Sequence, residues 1–318
     1  MTVAHDRPRI GISACLLGDE VRFDGGHKRD PFLTKVLSPH VEWVRVCPEV
    51  EVGMGTPRET LRLVRAPDGR VRMLTTRTGV NHTEAMTAWA RGRLRELAAE
   101  DLSGYVLKKS SPSCGMERVK VFRGSGAPER NGRGLFAEAL IKHFPNLPVE
   151  EEGRLSDPRL RENFVERVFA YQRLRRFFVG RWTPGALAAF HTANKMSLLS
   201  HSPVSYAALG RLVTSQTPRA RLRDAYERGF MQALAVPATT RRHTSVLMHM
   251  AGHVKKLLDT DSTSELLSRI DEYRCGLVPL IVPLTLLRHY VRTHDVAALA
   301  GQIYLEPHPR ELMLRNRV

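Results

Sequence analysis

Three short apolar runs in the first 110 residues constrain the fold more than any other feature of the chain. Residues 9–14, 41–46 and 104–107 have the length of buried strands, and a polar turn rich in glycine or proline follows each of them. Helical patterns alternate with these strand signals up to about residue 152. The sequence therefore predicts an α/β N-terminal domain with a Rossmann-like open, mainly parallel sheet.

Other elements of the N-terminal domain also have clear bounds in the sequence. Two helices are predicted, at residues 83–99 and 135–143. Residues 61–64 and 71–74 are predicted to form a hairpin around a Pro-Asp-Gly turn. The glycine-rich stretch at residues 124–134 lacks the spacing of a phosphate or dinucleotide loop. It is interpreted either as a plain surface loop or as a flexible lid, and a lid would turn Arg130 and Arg133 towards a substrate.

The pattern changes after the acidic run at residues 150–152. Asp157 precedes Pro158 as a capping residue precedes a proline in the first turn of a helix, and three Thr-Pro or Ser-Pro pairs repeat this signal downstream. Apolar residues recur there at intervals of three and four, which is typical of amphipathic helices. Because 318 residues exceed the size of most single cores, we predict two domains, an α/β domain at residues 1–152 and an all-α domain at residues 153–318.

The net charge of +16 is shared by both halves of the chain. Residues 1–150 carry 24 Lys and Arg against 18 Asp and Glu, and residues 151–318 carry 25 against 15. Such a surface favours a polyanionic partner such as nucleic acid, although a high net charge also serves solubility alone. No apolar stretch approaches the roughly 20 residues of a membrane span, and no charged-then-apolar leader is seen. With four cysteines in so long a chain, we expect a cytoplasmic protein whose reduced thiols bind metal or react.

Three of the four cysteines, Cys15, Cys47 and Cys114, follow the three apolar runs. Because ligand sites of open α/β sheets lie beyond the carboxyl ends of the strands, these thiols are expected to converge. Soft thiolates select iron-sulfur clusters, zinc or Cu(I), and three thiolates are an incomplete set for a cubane, which normally takes four. A structural zinc site and three unrelated buried thiols are the alternatives, and Cys275 is expected in the core of the helical half.

The sequence around each of these cysteines resembles a known family. Residues 13–28 read SACLLGDEVRFDGGHK, residues 47–59 read CPEVEVGMGTPRE, and residues 108–115 read KKSSPSCG. These stretches resemble the 2-thiouracil desulfurases, and HTANKMSLLSHSPVSY at residues 191–206 resembles the YbgA-type domain often fused to them. The resemblance implies that Cys15, Cys47 and Cys114 hold a 4Fe-4S cluster whose fourth iron is left open. It also implies a link to the removal of sulfur from thiolated tRNA, 4-thiouridine in particular.

The chemistry of these residue types agrees with that resemblance. An open iron would bind a thione sulfur and polarise its bond to carbon, so that water can replace the sulfur as hydrogen sulfide. Glu49, two residues after Cys47, is expected to carry a proton, and the resemblance favours Glu49 and Ser111 as the catalytic pair. Local capping by Glu49 and ordinary turn roles for the serines are the alternatives. Three further residues are expected to position the substrate: Asp24, Lys108 and Ser113.

Basic side chains of the helical half are the candidates for RNA contact. They cluster on segments that also carry His and Tyr, which suits phosphate binding and stacking on bases. The candidates are Arg173, Arg175, Arg176, Arg181, His191, Lys195, Arg241 and Arg242. A solvated basic surface used in protein association is the alternative.

The sequence thus predicts a desulfidase that hydrolyses thiolated uridine in tRNA at an iron-sulfur cluster and releases uridine and hydrogen sulfide. Two other functions stay open at this point. One is a desulfurase of free thiouracil-type bases whose helical domain serves dimerisation, and the other is a non-catalytic iron-sulfur sensor that binds nucleic acid.

Overall fold

The computed structural model describes residues 7–124 and 127–317 of the chain. The chain divides after Asp157 into two compact units, and the second begins at Pro158. Among the described residues, all strands lie in the first unit, whereas the second unit is helical. An α/β unit followed by an all-α unit confirms the predicted fold class.

The elements are numbered in chain order. The strands are β1 (Arg9–Ser13), β2 (Glu42–Val46), β3 (Leu61–Arg65), β4 (Val71–Thr75), β5 (Leu102–Leu107), β6 (Val119–Phe122), β7 (Glu129–Gly132) and β8 (Val149–Glu151). The helices of the first unit are α1 (Pro48–Glu51), α2 (Thr83–Ala99) and α3 (Leu135–His143). Those of the second are α4 (Pro158–Val179), α5 (Pro184–Ala193), α6 (Lys195–His201), α7 (Pro203–Val213), α8 (Arg219–Ala235), α9 (Thr240–Val254), α10 (Thr260–Arg274) and α11 (Ile281–Thr293). Short 3-10 turns lie at Ala14–Leu17, Ser38–His40, Arg154–Ser156, Ile303–Leu305 and Arg310–Leu312, and a π-helical turn lies at Phe32–Leu37.

The first sheet has the strand order β2-β1-β5-β8, and all its strands run parallel. Every residue of the central strand β5 is buried. The adjacent strand β1 passes so close to Tyr105 that a Cβ atom at Gly11 would lie 2.2 Å from the ring, so only glycine fits there. Phe136 of α3 contacts both Tyr105 and Trp89 of α2, which ties the two helices to the sheet. Because the strands are parallel, their carboxyl ends meet at one edge.

A second sheet has the order β4-β3-β6-β7. Its β3 and β4 are the predicted hairpin and pair antiparallel. β6 runs parallel to β3, and β7 pairs antiparallel with β6. The expectation of a loop or lid over residues 124–134 is wrong for Glu129–Gly132, whereas Ser125 and Gly126 lie outside the described residues. A polar strand of four residues has no hydrophobic period, and β7 forms through its backbone pairing with β6.

Two helices of the second unit begin at the capping residues that the sequence predicts. The Thr183 hydroxyl accepts a hydrogen bond from the Ala186 N–H at 3.1 Å, and the Ser202 hydroxyl accepts one from the Ser205 N–H at 3.2 Å. The Thr217-Pro218 pair differs, because Pro218 itself precedes the first residue of α8. In the described residues, no helix is both long and apolar enough to span a membrane.

Cys275 is exposed at the end of α10, so the expectation that it lies in the core is wrong. The helix ends at Arg274, and the chain then turns through Gly276, whose φ of +75° favours glycine. The preceding Tyr273 still faces the core. Cys275 is therefore the first residue after the helix, and its side chain is exposed to solvent.

Candidate active site

The carboxyl edge of the first sheet borders a cavity of about 390 Å³ that three cysteines line. Cys15 follows β1, Cys47 follows β2 directly, and Cys114 lies in the loop after β5. These strands are adjacent and parallel, so their order brings together thiols that are far apart in sequence. The cavity is therefore the candidate site of the chemistry predicted for the cysteines.

Backbone turns fix Cys15 and Cys47 at the cavity. Cys15 lies in the 3-10 turn after β1, where its carbonyl accepts a hydrogen bond from the Lys28 N–H at 2.9 Å. Cys47 precedes the short helix α1, and its N–H donates to a carboxylate oxygen of Glu51 at 2.9 Å. Residues of the two sequence motifs thus hold the backbone that carries each thiol.

The loop that carries Cys114 lies against the N-terminus of α3. The first N–H groups of a helix have no partner inside it, and here the Phe136 N–H donates to the Ser113 carbonyl at 3.0 Å. A Cβ atom at Gly134 would lie 2.4 Å from that carbonyl, so glycine permits the close approach. The glycine before α3 therefore helps to place Cys114 at the edge of the sheet.

Burial keeps the three thiols protonated when no counter-charge is present. It raises the pKa of Cys15 to about 11 and also raises the pKa of Cys47 and of Cys114, because a thiolate loses its hydration there. Metal ligands are thiolates, so the three groups need positive charge among them to ionise together. An iron-sulfur cluster supplies that charge, and a soft, all-sulfur donor set fits it. In residues 7–124 and 127–317, no three His, Cys, Asp or Glu side chains are grouped closely enough to hold a single metal ion.

Glu49 reaches the cavity from α1, and its side chain is 15% exposed. Its Oε2 accepts hydrogen bonds from Nε and Nη2 of Arg58, at 2.9 and 2.5 Å. Arg58 is 7% exposed and also donates to the carbonyls of Gly55, at 2.9 Å, and Val21, at 3.0 Å. A pair this well buried and hydrogen-bonded fixes the carboxylate, so that Oε1 is the oxygen directed at the serines.

Ser111 and Ser113 form a hydroxyl chain to this oxygen of Glu49. Ser113 donates to Oε1 at 2.6 Å, and the Ser111 hydroxyl lies 2.9 Å from Ser113 Oγ and 3.4 Å from Oε1. The Ser111 oxygen accepts the N–H groups of Ser113 and Cys114, at 3.2 and 3.1 Å, which occupies its lone pairs. Its proton therefore points to Ser113 or Glu49. The arrangement places proton-carrying groups beside the Cys114 sulfur, 3.7 Å from Ser113 Oγ.

Lys108 lines the cavity with its ammonium group paired to Glu152. Its own N–H donates to the Ser13 hydroxyl at 3.0 Å, and the second oxygen of Glu152 accepts the Lys109 N–H at 2.7 Å. Glu152 thus binds both the Lys108 ammonium group and the Lys109 N–H at the start of the loop that carries Cys114. Lys108 is placed where a substrate-positioning residue must be, and that role stays a prediction.

Asp24 is exposed and is not among the residues that line the cavity, and its substrate-positioning role stays a prediction. Its carboxylate accepts the Gly26 N–H at 3.1 Å and lies 3.4 Å from Nε of Arg22, so it is bound within its own turn. These bonds lower the pKa of Asp24 below its usual value. Arg22 and Lys28 of the same motif line the cavity instead.

Apart from Arg173 and His191, the candidates for RNA contact are exposed or half-buried. Arg176, Arg181 and Arg241 are exposed, and the half-buried ones are Arg175, Lys195 and Arg242. Lys195 Nζ lies 3.2 Å from Nε2 of His249, and Arg242 donates to the His201 carbonyl at 2.9 Å. The structure leaves the RNA role of these six as a prediction.

Arg173 and His191 make contacts within the helical unit, and their role in RNA contact also stays a prediction. Arg173 donates to the Pro307 carbonyl at 2.8 Å, and burial lowers its pKa to about 10. His191 is 7% exposed, stacks on Tyr206 and lies 3.2 Å from the Tyr226 hydroxyl. A helical position near other cations predicted exposure, whereas His191 is buried and Arg173 is half-buried.

Three residues that hold the site together do not stand out in the sequence: Arg58, Glu152 and Ser13. Arg58 belongs to the CPEVEVGMGTPRE motif, and a buried carboxylate at Glu49 calls for a cation close by. Glu152 ends the acidic run, in which Glu150 and Glu151 are buried as part of β8. Three carboxylates at the end of a strand are a signal that they hold cations or N–H groups of the fold.

Comparison with known proteins matches both halves of the chain. A model of the 2-thiouracil desulfurase family matches residues 10–152, and a model of a protein of unknown function, DUF1722, matches residues 195–309. The uncharacterized protein YbgA of Escherichia coli strain K12 is 35% identical over 162 residues, which are 50% of this chain and 95% of YbgA. The uncharacterized protein YbbK of Bacillus subtilis strain 168 is 31% identical over 154 residues, 46% of this chain and 98% of YbbK.

One solved structure is also similar, that of the 4Fe-4S-dependent thiouracil desulfidase TudS. It is 30% identical, with a TM-score of 0.40, over 47% of this chain and 94% of the TudS chain. The family resemblance seen in the sequence motifs is confirmed for both halves of the chain.

Proposed function

Because this chain belongs to the 2-thiouracil desulfurase family and carries a DUF1722 domain, we propose that it removes sulfur from thiolated uridine in tRNA, 4-thiouridine above all. Water supplies the oxygen that replaces sulfur on the ring carbon, and the sulfur leaves as hydrogen sulfide. The products are uridine and hydrogen sulfide, with no net transfer of electrons. The observation that carries the proposal is the convergence of three thiols, a fixed carboxylate and two hydroxyls on one cavity.

We assign Cys15, Cys47 and Cys114 as the ligands of a 4Fe-4S cluster with one open iron. Three buried thiols on one cavity fit this group, since they need a positively charged, thiophilic centre to ionise. When bound, the cluster supplies a Lewis-acidic iron with affinity for a thione sulfur. The surrounding residues then have to orient the base and move protons.

Glu49 is the proton carrier in this proposal. Arg58 holds Oε2, which leaves Oε1 and the Ser113 hydroxyl on the side of Cys114. Oε1 takes the two protons of the attacking water in turn and passes them to the departing sulfur, so that the water oxygen stays on the ring carbon and hydrogen sulfide leaves. Ser111, with its lone pairs occupied by backbone N–H groups, donates into the same chain and keeps it oriented.

The remaining lining of the cavity suits a pyrimidine base. Phe23 lines the cavity and is 37% exposed, with the Arg22 guanidinium 5.2 Å from the centre of its ring, and we assign this ring as a stacking surface for the base. Lys108 offers an ammonium group that can donate to a ring carbonyl, and Glu152 fixes its position. Apolar side chains, among them Val21 and Val46, also line the cavity.

The helical domain, residues 153–318, holds the tRNA in this proposal. Residues 151–318 carry 25 Lys and Arg but only 15 Asp and Glu, and this excess of positive charge supports that role. The proposed phosphate contacts are Arg175, Arg176, Arg181, Lys195, Arg241 and Arg242. The protein works in the cytoplasm, where its thiols stay reduced.

The test is nucleoside analysis of thiolated tRNA after incubation with anaerobically reconstituted protein. We expect 4-thiouridine to be replaced by uridine, with one sulfide released for each uridine formed. Turnover of free thiouracil without turnover of tRNA would instead favour a desulfurase of free bases. Equal binding of thiolated and sulfur-free tRNA without sulfide release would favour a sensor.

A separate prediction concerns the surface of the helical domain. Reversing the charge of Arg181, Lys195 or Arg241 to glutamate should weaken tRNA binding and reduce the slope of log Kd against log salt by about one for each lost phosphate contact. Arg274→Glu is the control, because Arg274 is already neutralised by Asp271. Titration of labelled tRNA at several salt concentrations measures the slope. Slopes that stay at the unmodified value in all three variants would contradict the assignment.

A further inference from the structure

A groove of about 380 Å³ adjoins the thiol cavity and extends over the second sheet. Four residues line both the groove and the cavity: Thr60, Leu61, Ser110 and Pro112. Ser110 and Pro112 belong to the same loop as Ser111 and Cys114. A molecule whose reacting end lies in the cavity can therefore extend directly into the groove.

Three cations stand side by side across the sheet in this groove. They are Arg62 of β3, Lys120 of β6 and Arg130 of β7. Lys120 and Arg130 are direct partners in the antiparallel pair, and the pairing of Leu63 with Val121 puts Arg62 level with Lys120. Since Leu63 and Val121 are buried, alternation along each strand turns the cations to the opposite, outer face.

The charge in the groove is not balanced within the fold. Arg118, which is exposed, adds a fourth cation, and no Asp or Glu is among the described residues that line the groove. Nε of Arg62 is buried without a hydrogen-bond partner in the described chain, and the guanidinium lies 5.6 Å from the centre of the Phe122 ring. Like charges directly opposite each other destabilise an antiparallel pair, so folding does not account for Lys120 opposite Arg130.

We propose that this groove binds the sugar-phosphate backbone of the RNA strand next to the thiolated nucleotide, while the base of that nucleotide lies in the thiol cavity. The inference rests on the proposed function and adds a second RNA-binding surface, located on the catalytic unit itself. Phosphates supply the missing negative charge, and the shared lining makes the backbone continuous with the base. A free base has no phosphate, so the groove selects polynucleotide over free thiouracil.

The test compares two charge-altered variants with a matched control in the full-length protein. Lys120→Glu with Arg130→Glu reverses the pair, and Lys120→Gln with Arg130→Gln neutralises it; both side chains are exposed, so the fold should tolerate either change. Arg91→Glu with Arg95→Glu alters two exposed arginines of α2 that do not line the groove. The readouts are binding of a sulfur-free single-stranded RNA by fluorescence anisotropy, and kcat/KM for free 2-thiouracil and for thiolated tRNA.

We expect the reversed pair to weaken RNA binding and lower kcat/KM for tRNA at least about tenfold, the neutral pair to do so less, and turnover of 2-thiouracil to stay within about twofold. RNA binding unchanged in both variants, or the same loss in the α2 control, would overturn the groove assignment while leaving the desulfidase proposal intact. An equal loss on both substrates would also overturn it, because that points to damage in the cavity. Weakened RNA binding in a protein that releases no sulfide from any substrate would support the groove and refute the desulfidase function.

Discussion

Replacing Cys15, Cys47 or Cys114 by alanine should remove the bound iron and the release of sulfide together. Anaerobically prepared wild-type protein should contain about four irons and four sulfides per chain, as a cubane requires. Each of the three thiols lines the same cavity. A cluster with only three protein ligands is expected to be lost when one of them is removed. Iron and acid-labile sulfide analysis, with the visible absorption spectrum, measures the loss.

Cys275 provides the matched control for this experiment. It is exposed at the end of α10 and does not line the cavity, so Cys275→Ala should keep full iron content and activity. One zinc per chain with no iron in anaerobic wild-type protein would refute the cluster assignment. Full activity in any of the three cavity variants would do the same.

Glu49→Gln should keep the iron content and lose turnover by about 10² to 10⁴, the range expected for removal of a general acid/base. Glutamine has the same shape and can still accept from Arg58, but its amide cannot take the proton that Oε1 is proposed to carry. The decisive comparison is kcat for sulfide release at equal cluster loading. Ser111→Ala should lower kcat in the same direction, because the hydroxyl chain then lacks one proton donor.

Glu84→Gln is a suitable control for the loss of a carboxylate. Glu84 is exposed in the first turn of α2 and does not line the cavity, so its kcat should match that of the wild type. A Glu49→Gln enzyme with wild-type kcat would contradict the proton-carrier role. A variant that also loses iron would show instead that Glu49 supports cluster assembly through the Cys47 turn.

The parts of the site that lie on regular strands could be predicted from the sequence. Cys15 and Cys47 follow apolar runs of strand length, and a parallel sheet brings such ends together whatever the intervening sequence. The helix at Thr83–Ala99 has the predicted bounds, because its pattern is long and periodic. Glu49 could be placed because it lies only two residues from Cys47.

Contacts across the fold could not be predicted in the same way. Arg58 meets Glu49 because a turn after α1 brings the chain back, and Glu152 meets Lys108 because β8 pairs with β5. Neither partner is close in sequence or part of a periodic pattern. The strands β6 and β7 were missed for a related reason, since four residues are too short to show a period.

The helical unit shows why cations on helices are poor guides to a binding surface. Arg173 and Arg176 are less than one turn apart, yet one guanidinium is bound inside the unit and the other residue is exposed. Long side chains can also bury their stems and bring the charged group to an internal carbonyl. The rotation of each helix about its axis decides the outcome, and that rotation depends on packing.

The contacts of Glu152 determine where a fragment containing the N-terminal unit should end. Its carboxylate holds both Lys108 and the Lys109 N–H, although it stands only six residues before Pro158. A fragment that ends at residue 152 would place a terminal carboxylate beside these contacts of Glu152. It would also omit Arg154, which pairs with Glu150 and Glu117. A fragment intended to isolate the thiol cavity should therefore extend through Asp157, so that a low activity in it reflects the missing helical half rather than a loosened Cys114 loop.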